Sequence, residues 1–177
     1  RNKPGQITYG SSGLGSINQI SAELIALSAG VKLTHIPYKG ISQAMTALAS
    51  GEVEICIASA AAVNPQLRAN RVRVIAITSE KPTSLLPGLP TVAQSGVPGY
   101  TYELWWGLFA PAGLSADRIN FINAAVNKSL AGPEMKKFLE NESAEAWVAT
   151  PAQIADLLPR EIERYRKAAK DAGIPPQ

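Results

Sequence analysis

At 177 residues the chain fits one ordinary domain or two small lobes and can bury a sizeable core. A hydrophobic fraction of 46%, with 18% charged residues, 14 Gly and 13 Pro, describes a folded chain and excludes a disordered tail, a collagen-like repeat and a low-complexity segment. A net charge of +3 is too mild to indicate nucleic acid, and no apolar run approaches the roughly 20 residues that cross a bilayer.

The first residues lack a charged stretch followed by an apolar run and a small-residue cleavage site, so a mature chain, a cytoplasmic one and a piece of a longer protein all remain as readings. Short runs rich in β-branched residues at 7–9, 31–36, 53–57 and 72–77 predict four strands. Between the first two, Ile17, Ile20, Leu24 and Leu27 recur at helical spacing, with Gly30 as the stop. Ser42 is the expected cap of a second helix carrying Met45 and Leu48 and ending near Gly51, and 64–69 supplies a third, shorter one. Strands alternating with helices predict βαβ units and an α/β fold around a largely parallel sheet. Cys56, the only cysteine, sits in an apolar run, cannot pair within the chain and says little about compartment.

Pro82, Pro87, Pro90 and Pro98, with Gly88, Gly96 and Gly99, mark 80–100 as loops around one short helix at 91–94, and as a plausible boundary. A strand at 104–110 follows, closed by Pro111-Ala112-Gly113. The remainder reads as helical. Ser115 caps a helix with the stripe Ile119, Ile122, Val126 and Leu130, which stops before Gly132-Pro133, and a shorter helix covers 134–141. After a possible strand at 146–148, Thr150-Pro151-Ala152-Gln153 combines an N-cap, a first-position proline and a capping-box glutamine. The last helix stops at Gly173, and Pro159 inside it predicts a kink or break near Leu158. The mixed charges Arg160, Glu161, Glu163, Arg164, Arg166, Lys167, Lys170 and Asp171 read as a solvated helix face.

The segment Tyr9-Gly10-Ser11-Ser12-Gly13-Leu14-Gly15-Ser16 lies between a predicted strand and an amphipathic helix. Glycines let the backbone turn and approach a ligand, helix-start amides carry partial positive charge, and the hydroxyls of Ser11, Ser12 and Ser16 add donors, which together suit an anion. A helix cap with glycines serving turn geometry is the other reading. No lysine follows Gly15, so a P-loop is excluded, and the glycine spacing and missing acidic residue after the second strand argue against a dinucleotide site. At the end of the second strand, His35-Ile36-Pro37-Tyr38-Lys39-Gly40 would lie beside that loop, with the Tyr38 hydroxyl or ring and the Gly40 amide as candidate contacts and Lys39 solvated. His35, the only histidine, reads as structural: it has no Cys, His or acidic cluster for a metal, and no Gly-x-Ser-x-Gly elbow supports a triad. After the third strand, Ala58-Ser59-Ala60-Ala61-Ala62 leaves room for a ligand with Ser59 as a donor, or lets a helix pack closely. Trp105 or Trp106 could face a cleft or pack in the core.

With the serine loop, the Pro37-Tyr38-Lys39-Gly40 turn and the segment from Trp105 to Gly113 in view, the chain resembles the solute receptors of tripartite tricarboxylate transporters, the Bug-type periplasmic binding proteins. Further matches are Leu89-Pro90-Thr91-Val92-Ala93, Gly96-Val97-Pro98-Gly99-Tyr100 and the closing Asp171-Ala172-Gly173-Ile174, so the resemblance spans nearly the whole chain. It implies a two-lobed, cleft-closing receptor of the type II periplasmic-binding-protein class. Such a receptor sits in the periplasm, performs no chemistry, binds a small organic carboxylate and delivers it to membrane transporter subunits. Ser11, Ser12, Gly13, Ser16, Tyr38, Gly40 and Ser59 are then the ligand-binding candidates, with no metal, no cofactor and no nucleic acid expected.

Many receptors of this kind carry Asp or Asn near the end of the third strand, where this chain has Ala58 and Ser59, which favours a plain carboxylate over an amino acid. The resemblance also implies that 1–102, from about Pro4, forms the second lobe, and that 103–177 is a returning, mainly helical segment of the first lobe, whose opening half has no counterpart here. That segment should expose apolar surface and either pack compactly or be covered by another molecule, a second copy included. Two other functions stay open: the effector-binding domain of a transcription regulator, and an esterase-like enzyme using Ser11 or Ser12.

Overall fold

The computed structural model describes residues 5–83, 86–142 and 144–175, so the expected start of the second lobe at Pro4 lies outside it. Three of the predicted strands pair, as β1 (Thr8–Ser11), β2 (Thr34–Pro37) and β3 (Ile55–Cys56), into one sheet of order β2-β1-β3. Both ladders are parallel: Tyr9 lies opposite His35 and Ile55, and Ser11 opposite Pro37. Parallel neighbours need long crossovers, which α1 (Ile17–Ala29) and α2 (Ile41–Ser50) supply, while α3 (Ala60–Arg68) follows β3.

β1 is central, and Tyr9, Gly10 and Ser11 are buried. Small residues bring the helices close to it: Ala22 and Ala26 on α1, and Ala44 and Ala47 beside Met45 on α2, are buried with Tyr9 and Val53. The buried face of α1 therefore differs from the expected stripe. Ile17 and Leu27 are exposed, whereas Gln19, Ser21, Ala22 and Ala26 are inside, because a helix packed close to the sheet favours small side chains there. Ser21 is held by a 2.7 Å hydrogen bond to the Tyr100 hydroxyl. That tyrosine belongs to a further cluster of Val92, Val97, Tyr100 and Tyr102, which Leu24, Ile25 and Tyr165 pack against.

Several expectations change. α2 begins at Ile41 with Gly40 as its cap rather than at Ser42, and α3 starts at Ala60, earlier than predicted. The run 72–77 forms no strand; what remains is a single parallel bridge between Ile77 and Thr91. Thr91 and Gln94 cap one another's amides at 2.9 and 3.1 Å, which makes 91–94 a tight turn in place of a helix. The segments 104–110 and 146–148 are not strands either. A β-branched or aromatic run becomes a strand only where another strand offers its backbone.

The chain divides into two compact units: residues 1–103 with 165–177, and residues 104–164. The second unit holds α4 (Ala116–Leu130), α5 (Pro133–Asn141) and the first part of α6 (Pro151–Asp171), whose end from Tyr165 belongs to the first unit. α6 begins as predicted: Gln153 Oε1 accepts from the Thr150 amide at 2.8 Å, and Thr150 Oγ1 accepts from the Gln153 amide at 3.2 Å. It runs unbroken through Pro159, so the missing donor does not end the helix near Leu158. Large apolar side chains stay outside in this unit, among them Trp106 (75% exposed) and Phe121 (76%), with Leu108, Phe109, Phe138 and Trp147.

Candidate functional site

Because the three strands are parallel, their carboxyl ends lie along one edge of the sheet, and each is followed closely by a helix start. Ligands in open α/β sheets sit beyond that edge. Hydrogen bonds draw the three loops together there. The Tyr38 amide donates to the Ser11 carbonyl at 3.1 Å, joining the ends of β2 and β1. Ser12 Oγ donates to Asn18 Oδ1 at 2.6 Å, and Asn18 Nδ2 donates to the Ile57 carbonyl at 2.7 Å, joining the serine loop to the end of β3. The three motifs singled out in the sequence are thus neighbours.

Each candidate residue has a definite place. Ser11 is fully buried; its Oγ accepts from the Gly13 amide at 3.1 Å, lies 3.0 Å from the Gly13 carbonyl and 2.6 Å from His35 Nε2. It holds the loop from within and offers no hydroxyl to solvent. The Gly13 amide is likewise turned inward to Ser11, in a conformation (φ +133°) that L side chains rarely adopt. Ser12 gives its proton to Asn18. Ser16 is the N-cap of α1, accepting from the Gln19 amide at 3.3 Å, and Ser59 is the N-cap of α3, accepting from the Ala62 amide at 3.4 Å. A hydroxyl that accepts in a cap still carries its own proton. Ser16 and Ser59, both half-buried, can therefore donate to an incoming oxygen.

Tyr38 contributes differently from expectation. Its hydroxyl donates to Glu52 at 2.8 Å and its ring packs against Gly10, so it forms a wall and is not a free donor. Burial, and then the Glu52 carboxylate, push its hydroxyl up to about 12. Gly40 caps α2 with extended backbone and no side-chain hydrogen bond, while Gln43 Oε1 reaches back to accept from the Lys39 amide at 3.1 Å.

The helix starts at this edge keep their partial positive charge, although the Glu52 carboxylate lies nearby on the Tyr38 hydroxyl. None of α1, α2 and α3 carries an acidic residue in its first turn, whereas α4 and α5 place Asp117 and Glu134 there. An acidic first turn would neutralise the partial charge, roughly +0.5, that a helix start presents. Three such starts around one sheet edge favour an anion rich in oxygen. Among the described residues, no three His, Cys, Asp or Glu come together as a group that could hold a metal ion, and no helix is long and apolar enough to cross a membrane.

The sequence reading missed two contributors, Gln19 and Asn18, and took His35 as structural without identifying Ser11 as its partner. Gln19 Oε1 accepts from the Gly15 amide at 2.7 Å, a role signalled by the Ser16-x-x-Gln19 spacing of a capping box. Nothing local signals the Ile57 carbonyl, just past β3, as a partner of Asn18, or Ser11 of β1 as the partner of His35. The His35 ring stacks on Tyr9 at 4.8 Å, and burial lowers its proton affinity, with the Glu23 carboxylate acting in the opposite sense.

A parallel sheet with helix starts at its carboxyl edge is the ligand-binding arrangement common to open α/β folds, and comparison with known proteins supplies the family. The model of the tripartite tricarboxylate transporter family receptor, TctC, matches residues 1–174, and the chain belongs to that family. BugT of Bordetella pertussis is 29% identical over 171 residues, covering 97% of this chain and 52% of BugT. The structure of R. palustris Rpa4515 with adipate superposes with a TM-score of 0.87 at 35% identity, covering all of this chain and 59% of that one. MatC from Rhodopseudomonas palustris with bound malate has a TM-score of 0.75 at 28% identity, covering 93% of this chain and 57% of its own. The chain thus spans about half the length of BugT and less than two thirds of either structure. Its α/β fold is that of the periplasmic binding proteins of this type.

Proposed function

We propose that the chain is the ligand-binding part of a periplasmic receptor that takes up a small organic carboxylate and delivers it to a tripartite tricarboxylate-type membrane transporter, without chemistry of its own. The observation that carries this reading is the convergence of α1, α2 and α3 starts, all without first-turn acids, at the carboxyl edge of the β2-β1-β3 sheet. The carboxylate oxygens meet the helix dipoles and the hydroxyl protons of Ser16 and Ser59, with Gly40 opening the third helix start and the Tyr38 ring as a wall. Adipate and malate in the two related structures support the ligand class. Residues 1–102 are proposed as the second lobe and 103–177 as the returning segment of the first.

Ala58 and Ser59 supply no acid for a ligand amino group, so a plain dicarboxylate is preferred over an amino acid. Calorimetry tests this: adipate or malate binds more tightly than aspartate or glutamate, and the reverse order, or no binding of either class, contradicts it. An esterase reading using Ser11 or Ser12 is less well supported: Ser11 lies beside His35 but is buried (0% exposed), and the half-buried Ser12 gives its proton to Asn18, an amide and no general base. The apolar side chains exposed on the second unit, Trp106 and Phe121 foremost, favour association with a second copy. Sedimentation showing a concentration-dependent dimer supports this, and a monomer at all concentrations refutes it.

A further inference from the structure

We propose that His35 is the positioning residue of the serine loop: without touching the ligand it fixes Ser11, and through Ser11 the Gly13 turn that shapes the anion site. The claim about ligand affinity rests on the carboxylate reading above; the claim about the loop stands on geometry alone.

Gly13 carries a long backbone hydrogen bond, 3.3 Å from the Ser16 amide to its carbonyl, which leaves its φ unrestrained. Gly13 has φ +133°, and a Cβ built there would meet only the Tyr38 carbonyl oxygen, at 3.5 Å. A glycine in an open position has many alternative conformations, so its geometry has to be imposed from outside. Ser11 Oγ imposes it, lying within hydrogen-bond reach of both the amide (3.1 Å) and the carbonyl (3.0 Å) of Gly13.

A hydroxyl has one proton and two acceptor sites. With its proton on the Gly13 carbonyl and one acceptor site on the Gly13 amide, Ser11 has one site left, and His35 Nε2 lies 2.6 Å away. An imidazole protonated on Nε2 completes the set, so all three bonds coexist; this proton placement is inferred from the bonding pattern. Ser11 is fully buried, so in the folded loop its remaining acceptor site is met by the imidazole and not by solvent.

The histidine is itself fixed from two further elements. Its ring stacks on Tyr9 of β1 with an interplanar angle of 21°, and the Tyr9 hydroxyl donates to Glu23 of α1 at 2.5 Å. The line Glu23, Tyr9, His35, Ser11, Gly13 therefore ties α1, β1 and β2 to the back of the loop. A histidine that only filled space would not need its Nε2 within hydrogen-bond distance of the buried Ser11 hydroxyl.

Amide exchange of Gly13 and adipate calorimetry on the 177-residue chain test the proposal. His35→Leu speeds Gly13 exchange and weakens adipate, each about tenfold, the scale of one buried hydrogen bond. His35→Gln, which places an N–H donor near the position of Nε2, restores both to within about threefold. Ser11→Ala, which also removes both direct bonds to Gly13, costs at least as much as the leucine variant, and adding His35→Leu to it costs nothing further, because His35 acts only through Ser11. Unchanged Gly13 exchange in His35→Leu, equal damage from Leu and Gln, or additive losses in the double variant overturn the proposal. Should His35→Leu fail the circular dichroism check for folding, the comparison of Ser11→Ala with His35→Gln decides. Should the unaltered chain bind no dicarboxylate, the functional reading fails, while Gly13 exchange still decides the role of His35.

Discussion

Replacing Gly10 by alanine tests the close approach of α2 to the central strand that places the serine loop. Gly10 is buried in β1, one residue before Ser11, and is not a position of left-handed backbone, so the effect is one of space alone. An added Cβ would sit 3.3 Å from Ala44 Cβ, 3.3 Å from Val53 Cγ2 and 3.4 Å from Tyr38 Cε2. Favourable carbon separations are about 3.5–4.0 Å, so three neighbours, Ala44 on α2, Val53 just before β3 and Tyr38 just after β2, must each give by a few tenths of an ångström. Overpacking of this kind costs about 1–3 kcal/mol, and the lower entropy of the unfolded alanine chain offsets about 0.4–1 kcal/mol. The net loss of roughly 1–1.5 kcal/mol corresponds to about a tenfold rise in local opening. Tryptophan fluorescence is the wrong assay, since Trp105, Trp106 and Trp147 all lie in the second unit. Hydrogen exchange of the β1 amides reads the site directly, and they should exchange about tenfold faster in Gly10→Ala, and faster still in Gly10→Val. Exchange unchanged or slowed in the alanine variant would refute the packing argument.

Ser16→Ala removes the α1 cap and costs about 1 kcal/mol, seen as faster exchange in the first turn of α1, whereas Ser16→Thr keeps most of the protection. The Cys56 thiol, pushed by burial up to about 11, is alkylated at pH 8 at about a hundredth of the rate of an ordinary thiol, and at the full rate in urea. For His35, which faces Tyr9 of β1 and Glu23 of α1, burial makes the folded chain bind the proton less tightly than the unfolded chain. The stability this provides is present above the ordinary histidine value of 6.5 and lost as pH falls from there through the lowered folded value. Urea unfolding of the first unit at pH 7.5 and 5.5 should show the loss, and His35→Gln should reduce it; equal slopes in both proteins would argue against it.

The parallel sheet was legible because β-branched runs at 7–9, 31–36 and 53–57 alternate with helical spacing and with stops at Gly30 and Gly51, all of them local signals. The cap of α6 was legible for the same reason: Thr150 and Gln153 are three residues apart. The runs 72–77 and 104–110 have strand composition too, but a strand is defined by a partner's backbone, which no local pattern encodes. At the site, the residue types pointed to an oxygen-binding loop, yet the division of labour among the serines was hidden. Ser11 is inward and structural because His35 lies 24 residues away on the neighbouring strand, and Tyr38 loses its hydroxyl to Glu52, 14 residues on. Ser16 and Ser59 are N-caps, each accepting from a helix amide while keeping its own proton, and their donation to a ligand is part of the proposal.

The central claim is that a carboxylate is held at the carboxyl edge of the β2-β1-β3 sheet, and titration of the ¹⁵N-labelled chain with adipate tests it most directly. The account predicts amide shifts concentrated at the starts of α1, α2 and α3, from Ser12 to Asn18, around Ile41 and around Ala60, and diminished by Ser16→Ala. Shifts centred on the second unit, or on the α2 face around Thr46 and Ser50, would contradict it.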